Sequence, residues 1–211
     1  MPQRDPLYKF WRKKPPTLEK TSIFRHMLGM THAAQNPQTP DLPTSPESLM
    51  ARLKDLGIEF SLHHHQAVFT VAEADAVDRD ISGTHCRNLF LRDDKKKNFL
   101  VVLQNATEVD LKKLPSIINS KKLSFGSADR LWEYLGVRPG SVCPYAIIND
   151  TGNQVEIFLD KSMMETERVN YHPLLNTMTI GCAPFDLLKF IESTGHTPHV
   201  VDLSPAAPDR A

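Results

Sequence analysis

The chain has 211 residues, a formal net charge of zero, 40% apolar and 24% charged residues, a balance that suits one globular domain with a real core plus a tail. It is not basic throughout, as a general polyanion binder would be, and no run of 18 apolar residues exists to span a membrane as a helix. Three cysteines, Cys86, Cys143 and Cys182, are odd in number and lack metal-type spacing, which excludes a disulfide scaffold and fits a reducing, cytoplasmic compartment.

The neutral total hides a division. Residues 1–44 hold seven Lys/Arg against three acids, leaving 18 basic against 22 acidic residues in the remainder. Seven of the sixteen prolines also fall there, and apolar periodicity is absent, so the segment reads as a disordered basic extension. Its start, with Phe10 and Trp11, has the composition of a targeting or RNA-touching arm. The other reading is that translation begins at Met27, Met30 or Met50.

The folded part is predicted to run over residues 45–203. Ser45-Pro46-Glu47 combines an N-cap, a first-position proline and an acid in the first turn. Leu49, Leu53 and Leu56 follow at helical spacing until Gly57. Residues 58–62 alternate as a strand. His63-His64-His65 continue it, and because adjacent strand residues alternate faces they cannot all hold one metal; no metal or other cofactor is expected. Phe69-Thr70-Val71 leads into a short helix at 72–77.

Residues 89–91 and 99–103 flank a charged turn and predict an antiparallel hairpin, with Arg87-Asn88 at its mouth. A helix over 110–118 is shortened or kinked by Pro115. A brief strand at 123–125 precedes a helix over 127–135 closed by Gly136. Gly140-Ser141-Val142-Cys143-Pro144 is an irregular loop. Residues 145–148 and 155–159 predict a second hairpin across 149–153. Strands at 168–171 and 177–180 bracket His172-Pro173-Leu174-Leu175-Asn176. A helix over 184–192 with Leu187, Leu188 and Ile191 inward, a last strand at 200–203 and a frayed tail at 204–211 complete the chain. Hairpins outnumber β-α-β alternations, so the expected class is α+β: a mixed, largely antiparallel, partly barrel-like sheet with helices around it.

No phosphate-cradling glycine loop, GxSxG elbow, HExxH or CxxC pair occurs. Three polar spots remain: Arg87-Asn88, the 140–144 loop, and His172 with Asn176. Taken singly, each also has a plain structural reading: a solvated strand-end charge, a turn shaped by Gly140 and Pro144, a satisfied histidine.

Together with their surroundings they resemble the YbaK/ProX family of aminoacyl-tRNA editing domains, most closely its free-standing prolyl-tRNA editing proteins. The resemblance covers about residues 45–203. It rests on Val68-Phe69-Thr70-Val71, Gly83-Thr84-His85-Cys86-Arg87-Asn88-Leu89-Phe90-Leu91, Leu123-Ser124-Phe125-Gly126, Leu135-Gly136-Val137-Arg138-Pro139-Gly140-Ser141-Val142, Asn149-Asp150, Tyr171-His172-Pro173-Leu174-Leu175-Asn176-Thr177 and Thr194-Gly195-His196.

The resemblance implies hydrolysis of the ester between a wrong amino acid and the terminal adenosine of tRNA, most directly alanine on proline tRNA, without a metal and with the ribose hydroxyl assisting. It implies catalytic roles for Arg87, Asn88, Gly140 and His172, with substrate contacts from Ser141, Val142, Cys143, Pro144, Asn176 and Phe69. Mischarged proline tRNA is the implied partner, with prolyl-tRNA synthetase a second. Exposed cations, foremost Lys121, Lys122 and Arg138, are candidates for RNA contact. One departure stands out: the family has lysine where this chain has Arg87, and a planar fork does not substitute freely for a compact ammonium. Two alternatives follow: a non-catalytic tRNA- or synthetase-binding member, or an editing enzyme for serine or threonine.

Overall fold

The computed structural model describes residues 42–67 and 79–207. The expected extension over most of 1–44, the strand at 69–71, the helix at 72–77 and Phe69 as a substrate contact lie outside them.

Helix α1 (Pro46–Asp55) begins as its sequence dictates: the Ser45 hydroxyl accepts from the Ser48 N–H at 3.1 Å, and Leu49 and Leu53 are buried. Strand β1 is Phe60–His64. Strands β2 (Thr84–Asp93) and β3 (Asn98–Gln104) form the expected antiparallel hairpin, with Arg87 opposite Leu103 and Asn88 opposite Val102. Asp93 holds its turn, accepting from the N–H groups of Lys95 at 2.8 Å and Lys97 at 3.0 Å.

The helix at 110–118 is reduced to α2 (Leu114–Ile117), preceded by turns. Strand β4 is Leu123–Phe125. Helix α3 (Ala128–Leu135) is capped by Ser127 and ended by Gly136 at φ 61°, a left-handed conformation that favours glycine. Then come β5 (Val155–Asp160), α4 (Lys161–Met164), β6 (Val169–Tyr171), β7 (Met178–Cys182), α5 (Pro184–Ser193) and β8 (His199–Val201). On α5 Leu187, Phe190 and Ile191 point inward and Leu188 is only half-buried.

Two expectations are corrected. Residues 145–148 are no strand: Pro144–Asn149 is a 3-10 helix whose first four residues are all buried. Proline removes a ladder donor, and burial on every side replaces the alternation a half-covered strand requires. Strand β5 therefore has no hairpin partner at 145–148 and pairs in parallel with β3 and β8. The start of the tail is also anchored where fraying was expected, while residues 208–211 lie outside the described ones: Ser204–Ala206 forms a 3-10 turn, Ala206 is fully buried, and its carbonyl accepts from the Asp110 N–H at 2.7 Å.

Among the described residues eight strands form one mixed sheet in the order β1-β7-β6-β2-β3-β5-β8, with β4 on β2. Four strand pairs are antiparallel and three parallel. Among the described residues the sheet does not close, since β1 and β8 end the path. Its pivot is β2, which uses one edge twice: Thr84 and His85 pair with β6, and residues 91–93 pair with β4.

Each face has its own core. One, built on Phe90, Leu100, Val102, Tyr145, Tyr171 and Ile180, is covered by α1, α3 and α5. The other, built on Leu89, Leu91, Phe99, Val101 and Leu103, is covered by α2 and the Leu203–Ala206 region. This second core stops at β2. Beyond it, on β6, β7 and β1, the same face of the sheet is polar.

Candidate functional site

That polar face follows from strand alternation. Phe60, Leu62, Cys86, Val169, Tyr171, Ile180 and Cys182 pack on the first core, so their strand neighbours Ser61, His63, His85, Arg87, Asn170, Thr179 and Gly181 turn to the opposite side. Cross-strand bonds knit this face together. Arg168 Nη1 donates to Ser61 Oγ at 2.7 Å, and Asn170 Nδ2 donates to the Ser82 carbonyl at 3.2 Å. Gly181 is required here, because a Cβ would stand 2.6 Å from Asn170 Oδ1 and 2.9 Å from Ser61 Oγ.

Arg87 belongs to this face and Asn88 to the other. Adjacent strand residues must diverge, so the pair does not present a joint cation and amide to one pocket. The Arg87 guanidinium donates through Nη2 to the Thr107 carbonyl. The Thr107 hydroxyl in turn donates to Asp160 Oδ2 at 2.7 Å, and Ser162 Oγ donates to the same oxygen at 2.6 Å. Asp160 is buried, so the loop that holds Arg87 is tied to the end of β5. Asn88 leaves its side-chain oxygen buried without a hydrogen-bond partner.

Among the described residues no strand pairs with residues 86–89 on the edge of β2 between β6 and β4. The sheet is split there, and β4 is fixed on the far side by the Gly126 N–H on the Phe90 carbonyl at 2.9 Å.

His172 leaves the C-terminal end of β6 beside this split. The parallel pairing of β2 with β6 ends at His85↔Asn170, two residues before Arg87 on one strand and His172 on the other. The imidazole Nδ1 lies 3.0 Å from the Met178 carbonyl oxygen. A carbonyl only accepts, so Nδ1 carries the proton, and in the neutral ring Nε2 is the acceptor. Buried neighbours Tyr171 and Pro173 hold the backbone on both sides.

His65 was not singled out by sequence reasoning, yet its ring centroid is 5.9 Å from that of His172. It bonds the Gln66 carbonyl through Nδ1 at 2.8 Å and Thr179 Oγ1 through Nε2 at 3.0 Å. The signal was available in principle, since β1 alternates and His65 shares a face with Ser61 and His63.

The 140–144 loop meets the 172–176 segment directly. Gly140 has φ 93°, and a Cβ there would lie 3.6 Å from Asn176 Nδ2. Cys143 approaches the backbone of Leu174, a buried residue at φ 70°. Burial pushes the Cys143 thiol up to about 11. Gly140 and Val142 are half-buried, but Ser141, Cys143 and Pro144 are buried. Cys143 and Pro144 thus support the loop from beneath and do not face solvent.

Of the expected RNA contacts, Lys121 and Lys122 are exposed just before β4. Arg138 is exposed at the entrance to the glycine loop, stacked 3.9 Å from the Trp132 ring centroid. A cavity of about 510 Å³ lies elsewhere, lined by Ser82, Gly83, Thr84, Glu167 and Arg168 at the beginnings of β2 and β6; none of the expected site residues lines it. Among the described residues no cluster of His, Cys, Asp and Glu could hold a metal ion, and no helix is long and apolar enough to cross a membrane.

Residues 65–190 match the family model of the aminoacyl-tRNA editing domain. The prolyl-tRNA editing protein ProX of Acetoanaerobium sticklandii is 35% identical over 158 residues, covering 74% of this chain and 96% of that protein. The prolyl-tRNA synthetase associated domain-containing protein 1 of Danio rerio is 36% identical over 151 residues, covering 71% of this chain and 82% of that protein. Among solved structures, a proposed trans-editing enzyme for prolyl tRNA synthetase superposes with a TM-score of 0.58 at 17% identity, over 79% of this chain and 99% of its own.

Proposed function

The chain belongs to the aminoacyl-tRNA editing domain family, and from that membership we propose that it is a free-standing deacylase that hydrolyses the ester of alanine mischarged on proline tRNA. What supports the reading is Gly140 lying against Asn176, on the connecting segment that also carries His172.

An aminoacyl ester is already activated, so placing water and stabilising the oxyanion supply most of the acceleration. Water adds to the ester carbonyl, the carbon–oxygen bond to the ribose breaks, and the ribose oxygen leaves with a proton, assisted by the neighbouring ribose hydroxyl. Arg87, anchored by Thr107, supplies positive charge at the split in the sheet. The backbone of the 140–144 loop, held open at Gly140, follows the substrate.

His172 forms the wall that refuses the proline ring. Its tautomer is fixed by the Met178 carbonyl and its backbone is clamped by buried neighbours, which makes it rigid enough for a steric sieve. Such a sieve is needed because a synthetase pocket sized for proline excludes a smaller residue by only about 1–3 kcal/mol per missing methylene. Released, mischarged tRNA from prolyl-tRNA synthetase is the substrate in this account, and the cytoplasm is where the two meet.

The test is hydrolysis of alanine-charged proline tRNA by the purified full chain, beside Arg87→Ala. Turnover by the wild type and its loss in the variant are expected. Equal turnover by both, or none by either, overturns the reading.

A further inference from the structure

Arg138 is an expected RNA contact, but its stacking on Trp132 has no role in the site so far described. Arg138 is exposed, and its guanidinium centre lies 3.9 Å from the indole centroid. Among the described residues no carboxylate or carbonyl engages that guanidinium. An exposed planar cation over an indole has one face covered by the ring and presents the other outward.

The pair is rigidly joined to the proposed site. Trp132 sits on α3, whose end is set by the left-handed Gly136. The Arg138 carbonyl accepts from the Ser141 N–H at 2.9 Å, closing a turn directly onto Gly140. Anything lying on the outer face of Arg138 is therefore two residues from the loop assigned to the substrate.

We propose that the stacked Trp132–Arg138 pair is a platform for an unpaired base in the 3′ end of the tRNA. It rests on the reading that aminoacyl-tRNA is the substrate. Single-stranded nucleotides are recognised by stacking on aromatic rings and on arginine planes, and every base offers a π face for this. The positive charge at the same spot suits the adjoining phosphates. A base stacked here orients the chain so that the terminal ribose, with its ester, reaches the glycine loop. The platform binds and aligns; it takes no part in bond breaking.

Trp132 offers a direct probe, since the chain has two tryptophans and Trp11→Phe leaves it alone. Two RNA minihelices of the proline acceptor stem are used, one with its single-stranded 3′ end and one trimmed blunt, both uncharged. The intact minihelix is expected to quench Trp132 fluorescence and the blunt one to leave it unchanged. Arg138→Ala and Arg138→Lys are both expected to weaken binding of the intact minihelix roughly tenfold, because lysine keeps the charge but lacks the plane. Trp132→Ala is expected to raise KM for charged tRNA similarly while kcat stays within twofold.

Equal quenching by both minihelices, or wild-type affinity in Arg138→Lys, overturns the platform. Editing failure is separable from this. If the intact minihelix quenches Trp132 and no mischarged tRNA is hydrolysed, the platform stands and the deacylase reading falls.

Discussion

The guanidinium of Arg87 donates to the carbonyl oxygen of Thr107, twenty positions along the chain, and this bond determines where the cation can act. An arginine free to swing would reach several places. One held by a backbone carbonyl, in a loop itself tied to buried Asp160, has a fixed position beside the split in the sheet.

Arg87→Ala is accordingly expected to lower kcat by about 100-fold or more, the usual cost of losing a preorganised charge donor at an oxyanion. Arg87→Lys keeps the charge but replaces a planar fork, which can hold Thr107 with one arm and offer the other, by a compact ammonium, and a tenfold loss is expected. Single-turnover deacylation measures both. Lysine equal to or better than arginine would show that the Thr107 anchor is irrelevant.

Gly140→Ala tests the loop. At φ 93° an L residue is strained, whereas its Cβ would meet Asn176 Nδ2 only at ordinary contact distance, 3.6 Å. The penalty is therefore conformational, about 1–2 kcal/mol, and is expected as a modest fall in denaturation midpoint with a larger fall in kcat/KM. Equal proportional losses in both would make Gly140 purely structural.

Gly181→Ala should damage the polar face more severely. A Cβ there stands 2.6 Å from Asn170 Oδ1 and 2.9 Å from Ser61 Oγ, and overpacking of this kind costs about 1–3 kcal/mol. Urea denaturation measures it. A neutral result would mean that Asn170 is free to move.

The hairpin of β2 and β3, the capped helices α1 and α3 and the β6–β7 pair were legible because their signals are local: alternation, a serine cap, a glycine at a left-handed stop. The 3-10 helix at Pro144–Asn149 was not, since Tyr145-Ala146-Ile147-Ile148 is a short apolar run that suits a buried strand equally well. The parallel pairing of β5 with β3 and β8 depends on long-range contacts that no local pattern encodes. For the proposed site, Arg87, Gly140 and His172 were named through the family resemblance of their motifs. That Arg87 and Asn88 diverge, and that Cys143 lies under the loop, needed the register and the burial.

The buried thiols predict a pH dependence. Burial raises Cys143 and Cys182 from about 9.0 to about 11. The folded state therefore holds protons that the unfolded state has begun to release, and stability is full below about pH 9 and declines as pH rises toward 11. Buried Tyr145 and Tyr171, also shifted upward, act in the same direction. Urea midpoints between pH 8 and 11 should fall, with a shallower slope in Cys143→Ala. An unchanged slope would place the titration elsewhere.

The most direct measurement is the ratio of kcat/KM for alanine-charged over proline-charged forms of one proline tRNA, in the wild type and in His172→Ala. The account predicts strong preference for the alanine ester in the wild type and a collapse of that preference in the variant, through faster cleavage of the proline ester. A wild type that cleaves both esters equally, or a variant that keeps full selectivity, would contradict it.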